Sequence, residues 1–190
     1  MNKNKVFIVH GYGASPINHW FPWLRDTLSQ KEISVDILKM PTPLTPKYNE
    51  WIDCLSENAD VLNSNTFFVA HSLGCISLLK YLQQAGHEKQ VGGIVLVSGF
   101  AKSLPDLPQL DEFVQEQPNY NQIIHIAKKR AVIAAKDDNI VPFLYSKELS
   151  DMIQSDFYAV EKGGHFLDTE GFITLPIVYD VLSRMIKNTI

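Results

Sequence analysis

One segment of the chain predicts its architecture: Thr66-Phe67-Phe68-Val69-Ala70-His71-Ser72-Leu73-Gly74-Cys75. Residues 66–70 are rich in aromatic and β-branched side chains, which is typical of a short buried strand. From Cys75 to Gln84 the apolar residues recur at helical spacing, which predicts a helix of about three turns. The chain therefore passes from a strand directly into a helix, and Ser72 lies in the turn between them.

The turn at Ser72 has the pattern small-x-Ser-x-Gly, which is typical of a nucleophile elbow. Bulky side chains on either side of the serine would clash in so tight a turn, and this chain carries Ala70 where the usual pattern has glycine. An elbow holds the serine hydroxyl at the tip of the sheet and aims the N–H of Leu73 at the same point. A five-residue pattern also arises by chance in ordinary strand–turn–helix joints, so the remaining sequence must decide between the two interpretations.

Composition and charge exclude several classes of protein. Hydrophobic residues make up 45% and charged residues 20% of the chain, and 190 residues is an ordinary length for one globular domain, which we expect to span residues 1–190. The net charge of −4 and the lack of a basic run beyond residues 128–130 argue against a nucleic-acid partner. Apolar runs are too short for a membrane span or a signal-peptide core. We therefore expect a cytoplasmic protein that does not bind membranes.

Sequence signals for a metal or a cofactor are weak. No His/Cys cluster has the spacing of metal ligands, and Gly11-x-Gly13 lacks the third glycine of a dinucleotide fingerprint. We therefore expect neither a metal nor a cofactor. A disulfide between Cys54 and Cys75 is one alternative, and two buried thiols in a reducing compartment is the favoured one.

Six apolar runs predict six strands, and helical patterns alternate with them. The strands are expected at residues 6–9, 35–38, 66–70, 94–97, 131–135 and 157–160. Helices are expected around residues 20–28, 48–62, 75–84, 123–127, 149–153 and 178–186. Strands that alternate with helices form a parallel sheet with helices on both faces, and ligands bind at the carboxyl ends of its strands.

Three kinds of residue at these strand ends can form a catalytic triad. A serine such as Ser72 needs a base to take its proton, and the base needs an acid to hold it in one tautomer. His165 follows the sixth predicted strand, and Asp137 and Asp138 follow the fifth. The chain order Ser…Asp…His is that of the α/β-hydrolases, whereas chymotrypsin-like and subtilisin-like enzymes use other orders.

Four motifs together resemble those of an α/β-hydrolase over the whole chain. They are His10-Gly11-Tyr12-Gly13, Ala70-His71-Ser72-Leu73-Gly74, Asp138-Asn139-Ile140-Val141-Pro142 and Gly163-Gly164-His165-Phe166. The opening His-Gly-x-Gly-Ala-x-Pro, with His19-Trp20 and Pro22-Trp23, is similar to the small serine hydrolases of the retinoblastoma-binding-protein-9 / YdeN type. The resemblance implies a minimal three-layer α/β fold with about six parallel strands and no large lid. It also implies hydrolysis of a small acyl substrate, with ester, amide and thioester all open.

The acid of the triad has two candidates. The family pattern resembles Asp-x-x-Val-Pro, so Pro142 favours Asp138. Asp137 is adjacent and would serve after a shift of one residue. The alternative function is a non-catalytic interaction module that keeps the fold, and an intact set of triad residues argues against it.

An oxyanion hole needs two backbone N–H groups about 3 Å from the developing charge. Leu73, directly after the serine, is the first candidate. Tyr12 is the second, because Gly11 and Gly13 allow a tight turn in its loop. We expect His10 to hold that loop.

Four aromatic residues are candidates for an apolar acyl-binding surface: Trp20, Phe21, Phe100 and Phe143. Core packing is the more frequent fate of such residues. Among the other histidines, His71 would flank the serine, whereas His19 is expected on the surface.

Overall fold

The computed structural model describes residues 3–59 and 61–187, and a parallel sheet lies at the centre of this part of the chain. Its strands are β1 (Lys5–Val9), β2 (Ser34–Leu38), β3 (Thr66–His71), β4 (Gly93–Val97), β5 (Arg130–Ala135) and β6 (Asp156–Val160). The strand order is β2-β1-β3-β4-β5-β6, and every neighbouring pair is parallel. The carboxyl ends of all these strands therefore meet at one edge of the sheet.

Helices cover both faces of the sheet. They are α1 (Phe21–Ser29), α2 (Tyr48–Asn58), α3 (Leu73–Gln84), α4 (Tyr120–Ile126), α5 (Phe143–Met152) and α6 (Pro176–Lys187), with short 3-10 helices at Pro108–Phe113 and Asp168–Glu170. Buried residues of α1 and α6 pack on one face of the sheet, and those of α2, α3, α4 and α5 pack on the other. Successive strand residues alternate between these two apolar clusters, which is why the strands read as continuous apolar runs.

The predicted strands are confirmed, and so is the three-layer arrangement. One predicted helix is too long, because α2 ends at Asn58 and the backbone of Ala59 has left the helical region with a φ of −121°. The helix predicted around residues 149–153 begins earlier, at Phe143. No helix in the described ranges is long and apolar enough to cross a membrane.

The two cysteines are free thiols in this structure. Cys75 is buried at the start of α3, in agreement with the expectation, whereas Cys54 on α2 is only half-buried. Burial of Cys54 was therefore overestimated from the sequence, because this side chain lies at the edge of the apolar face of its helix.

Candidate active site

Ser72 lies at a strained turn between β3 and α3. Its φ of 54° and ψ of −123° are rare for a residue with a side chain, and such values concentrate at functional sites. A Cβ atom on Gly74 would lie 2.6 Å from the carbonyl oxygen of Val9, so the first turn of α3 approaches the end of β1 as closely as glycine allows. The small residue two positions after the serine is therefore required by packing.

The loop after β1 packs directly against the serine. A Cβ atom on Gly11 would lie 2.8 Å from Ser72 Cβ, so only glycine fits there. His10 fixes this loop, because its Nδ1 donates to the carbonyl of Gly11 over 2.9 Å and its Nε2 accepts the N–H of Met40 over 3.1 Å. Burial lowers the pKa of His10, in keeping with a neutral ring whose two nitrogens are a donor and an acceptor.

Two backbone N–H groups beside the serine are without acceptors. Within the described ranges, neither Tyr12 nor Leu73 donates a backbone hydrogen bond to another residue. Leu73 is the first residue of α3, so its N–H has no intrahelical partner. These are the two groups that the sequence predicts for an oxyanion hole.

His165 is paired with one of the two adjacent aspartates. Its Nδ1 donates to Asp138 Oδ2 over 2.8 Å, and the two side chains keep only 4% and 1% of their surfaces exposed. The other oxygen of Asp138, Oδ1, accepts the N–H groups of Ile140 and Val141, each at 2.9 Å. Both oxygens of this carboxylate thus have fixed partners, and the imidazole is held in the tautomer that leaves Nε2 as an acceptor.

Asp137 does not reach the His165 ring and has a different task. Its Oδ1 accepts the N–H groups of Gly163 and Gly164 at 2.8 and 2.9 Å, which lowers the pKa of Asp137. The sequence leaves two aspartates as candidates for the partner of His165. In the structure, Asp138 is the one that contacts the imidazole. Asp137 anchors the glycine turn that precedes His165.

Two further side chains hold the backbone around His165. Glu170 Oε2 accepts the N–H groups of His165 and Leu167 at 2.9 and 3.0 Å. His71 Nε2 donates to the carbonyl of His165 over 2.9 Å, and burial lowers the pKa of His71 well below its usual value. Asp137, Glu170 and His71 together fix the segment that carries the imidazole.

His19 and Asp168 clamp the loop after β1 to the segment after His165. Asp168 Oδ2 accepts the N–H of His19 over 3.0 Å and the side-chain amide of Asn18 over 3.2 Å. In return, the N–H of Asp168 donates to His19 Nδ1 over 3.0 Å. The expectation that His19 lies on the surface is wrong, because only 10% of its side chain is exposed.

This clamp predicts a pH dependence of stability. The hydrogen bond from His19 N–H, together with that from Asn18, lowers the pKa of Asp168 to about 2, whereas an aspartate in an unfolded chain titrates near ~3.9. The unfolded chain therefore binds this proton first, so the stabilisation is complete above about pH 4 and is lost as the pH falls through about 2. We expect Asp168→Asn to lower the urea midpoint of unfolding at pH 6. The difference in midpoint between variant and wild type should become smaller towards pH 3. A gap independent of pH would contradict this role for the carboxylate.

A cavity of about 280 Å³ opens above the serine. Its walls are formed by Tyr12, His19, His71, Ser72, Asp106, Leu107, Asn139, Ile140, His165 and Leu167. Ser72 and His165 thus face the same small space, although no hydrogen bond joins the serine hydroxyl to the imidazole in the described part of the chain. Such contacts are often long in unliganded enzymes and shorten when substrate binds.

The four aromatic residues proposed for the acyl site do not line this cavity. Trp20, Phe21 and Phe100 are fully buried in the two apolar clusters, and Phe143 packs against Phe157 at a ring distance of 5.5 Å. The prediction is wrong for all four, because their rings contribute to the packing of helices on the sheet.

Several residues that line the cavity were not predicted from the sequence. Asn139 and Ile140 directly follow Asp138, and Leu167 lies two residues after His165, so their positions after β5 and β6 were a usable signal. Asp106 and Leu107 lie in the segment between β4 and α4, where three prolines obscured any pattern. In residues 3–59 and 61–187, no group of three or more His, Cys, Asp or Glu side chains is arranged to hold a metal ion.

A parallel sheet flanked by helices, with a serine on a strained strand–helix turn and a His–Asp pair at the neighbouring strand ends, defines an α/β-hydrolase fold. The chain belongs to the serine hydrolase family, whose model matches residues 6–184. It is 55% identical over 179 residues to YdeN of Bacillus subtilis (strain 168), covering 94% of each chain.

Solved structures agree with this assignment. The crystal structure of the ydeN gene product from B. subtilis matches with a TM-score of 0.95 at 52% identity, covering 97% of this chain and 100% of that one. A structure described with carboxylesterases of the ammonia-oxidizing thaumarchaeon Nitrososphaera gargenis matches with a TM-score of 0.73 at 13% identity, covering 99% of this chain and 91% of that one. At that identity the second match bears on the fold alone.

Proposed function

We propose that this serine hydrolase cleaves a small carboxylic ester through Ser72, His165 and Asp138. The observation that carries the proposal is the 2.8 Å bond between His165 Nδ1 and Asp138 Oδ2 at the wall of a cavity that also holds Ser72. That bond leaves Nε2 of a neutral imidazole as the base that an unreactive hydroxyl needs.

In the acylation step, Ser72 Oγ attacks the acyl carbon while His165 Nε2 takes the hydroxyl proton. The bond from the acyl carbon to the leaving oxygen then breaks, and Nε2 returns the proton to that oxygen, so an alcohol departs. A water molecule next attacks the acyl-enzyme and gives its proton to Nε2, which passes it to Ser72 Oγ as the carboxylic acid leaves. Asp138 stays ionised and stabilises the imidazolium that forms in each step.

The negative oxygen of each tetrahedral intermediate is assigned to the N–H groups of Tyr12 and Leu73. Three features support this assignment: the lack of acceptors for both groups among the described residues, the contact of the Gly11 backbone with the serine, and the N-terminal end of α3. Donors fixed before the reaction act without reorganisation, and loss of one typically costs about 10²–10³ in kcat.

The size of the cavity favours a small acyl substrate. The cavity of about 280 Å³ is at the small end of the range for ligand pockets, which starts near ~300 Å³. A small ester meets this requirement.

The size of the cavity predicts a preference for short acyl chains. For p-nitrophenyl acetate, butyrate and octanoate, we expect kcat/KM to fall by about tenfold or more between butyrate and octanoate, because methylenes that do not fit are penalised. Leu107 lies on the cavity wall, so Leu107→Ala should reduce that fall. No turnover of any of the three esters would contradict the proposed function, and a maximum at octanoate would contradict the acyl-size assignment.

A further inference from the structure

We propose that His19 binds the leaving-group side of the substrate by donating a hydrogen bond from its Nε2 to a neutral acceptor oxygen, such as an ether, hydroxyl or carbonyl. The proposal deepens the esterase function proposed above and rests on it. It assigns a substrate contact to a residue outside the triad and outside the oxyanion hole.

The tautomer of His19 follows from its contact with Asp168. A backbone N–H always donates, so the 3.0 Å bond from Asp168 N–H makes His19 Nδ1 an acceptor. Oδ1 of Asp168 lies farther from the same nitrogen, at 3.3 Å, and does not form a hydrogen bond with it. The proton of a neutral ring must then be on Nε2, and an imidazolium would carry one there as well. In both forms His19 presents an N–H donor at Nε2.

The Nε2 atom of His19 is accessible and has no acceptor in the described part of the chain. Among the described residues none accepts a hydrogen bond from His19 Nε2. This atom is also not among the buried polar atoms that lack partners, so it is not shielded from solvent. His19 lines the cavity that holds Ser72 and His165. The exposed tenth of its side chain therefore offers the donor to whatever occupies the cavity.

The position of the ring is fixed before substrate binds. His19 has a φ of 54°, which only a well-braced non-glycine residue adopts, and Asp168 holds both its N–H and its Nδ1. Its ring also packs edge-on against Phe21 and His71, with centroids at 5.3 and 5.6 Å. A donor held this rigidly costs little entropy when it binds a ligand.

The leaving group is the part of the substrate that His19 faces. His165 must protonate the leaving oxygen, so the leaving group lies on the side of the cavity next to His165. Two contacts place His19 on that side. Its N–H donates to Asp168, which lies three residues after His165. Its ring packs against the ring of His71, which in turn lies 4.8 Å from the ring of His165.

The charges around His19 favour a neutral acceptor. Burial lowers the pKa of His19 although the neighbouring Asp168 acts in the opposite direction, so the ring is a neutral donor at neutral pH. The cavity wall holds the carboxylate of Asp106 and no lysine or arginine among the described residues. An anionic leaving group would therefore meet repulsion without a compensating cation.

The experiment compares two esters that differ at one atom of the leaving group. 2-Methoxyethyl acetate offers an ether oxygen where butyl acetate has a methylene, and the two are otherwise matched in length. A net hydrogen bond of ordinary strength predicts that wild type prefers the ether in kcat/KM by about two- to tenfold, after correction for the uncatalysed rates.

Two variants separate the donor from the clamp. In His19→Asn the amide oxygen can accept the N–H of Asp168 in place of Nδ1, asparagine tolerates the positive φ, and nothing remains at the position of Nε2. In this variant the ratio of kcat/KM for 2-methoxyethyl acetate to kcat/KM for butyl acetate should fall to about one. In His19→Gln the longer side chain puts an amide N–H near the Nε2 position, so the preference should be partly restored.

A purely structural role for His19 makes a different prediction. The variants would then slow both esters by the same factor and leave the ratio at its wild-type value, which would overturn the proposal. A wild-type ratio of about one would overturn it as well. If wild type hydrolyses neither ester, the esterase function itself fails, and the two failures are thereby distinguished.

Discussion

Replacing Ser72 with alanine is expected to abolish labelling by a fluorophosphonate probe and to lower kcat for short esters by about 10⁶-fold, the scale found when a triad serine is removed. The reason is that Ser72 Oγ is the atom that bonds to the acyl carbon or to phosphorus in the proposed reaction. Alanine keeps the backbone and the small size at this turn, so the variant should fold. Labelling is read by intact mass and by peptide mapping, and folding by far-UV circular dichroism.

Ser98 provides a matched control for this experiment. It also ends a buried strand, has a positive φ of 49°, and its hydroxyl is buried without a hydrogen-bond partner. Ser98→Ala should keep the labelling and most of the turnover. Unchanged labelling of the Ser72 variant, or a probe adduct at another residue, would contradict the assignment of the nucleophile.

Replacing Asp138 with asparagine is expected to lower kcat by about 10⁴-fold, because the imidazole then takes the wrong tautomer. The geometry specifies how this happens. Oδ1 accepts two backbone N–H groups, from Ile140 and Val141, so the amide oxygen of the variant will occupy that position. Its NH₂ group then faces His165 Nδ1, which must become an acceptor, and Nε2 must carry the proton. A protonated Nε2 cannot take the proton of Ser72.

Asp137→Asn is the control for this second prediction. Its amide oxygen can still accept from the glycine turn at residues 163–164, so we expect a much smaller loss of kcat/KM. Both variants are compared with wild type on p-nitrophenyl acetate across the pH range in which wild type is active. A larger loss for Asp137→Asn than for Asp138→Asn would make Asp137 the acid and would contradict the geometric assignment.

The sequence predicted those features of the fold that depend on local pattern. The strands were found because a strand buried on both faces is a continuous apolar run, and the run at 66–70 leads directly into a helix. Asp138 was favoured over Asp137 because it lies four residues before Pro142, as in the family pattern Asp-x-x-Val-Pro. The boundaries of α2 and α5 were missed because helix ends depend on backbone angles that apolar periodicity does not report.

The wall of the cavity was harder to predict, because it depends on contacts between distant parts of the chain. His19 and Asp168 are 149 residues apart, and no spacing in the sequence relates them. Trp20 and Phe100 were expected at the site because they are large and apolar. Those properties are shared by core residues, and the structure places both rings in the core.

The backbone angles of Ser72 bear on how such a protein can change over generations. A residue with a side chain at this φ costs about 1–3 kcal/mol, and glycine, which accepts positive φ freely, would avoid much of that penalty. The most conformationally relaxed residue at position 72 is thus one that lacks the hydroxyl. Selection for robustness alone would favour an inert protein, and only selection for turnover would retain the serine against it.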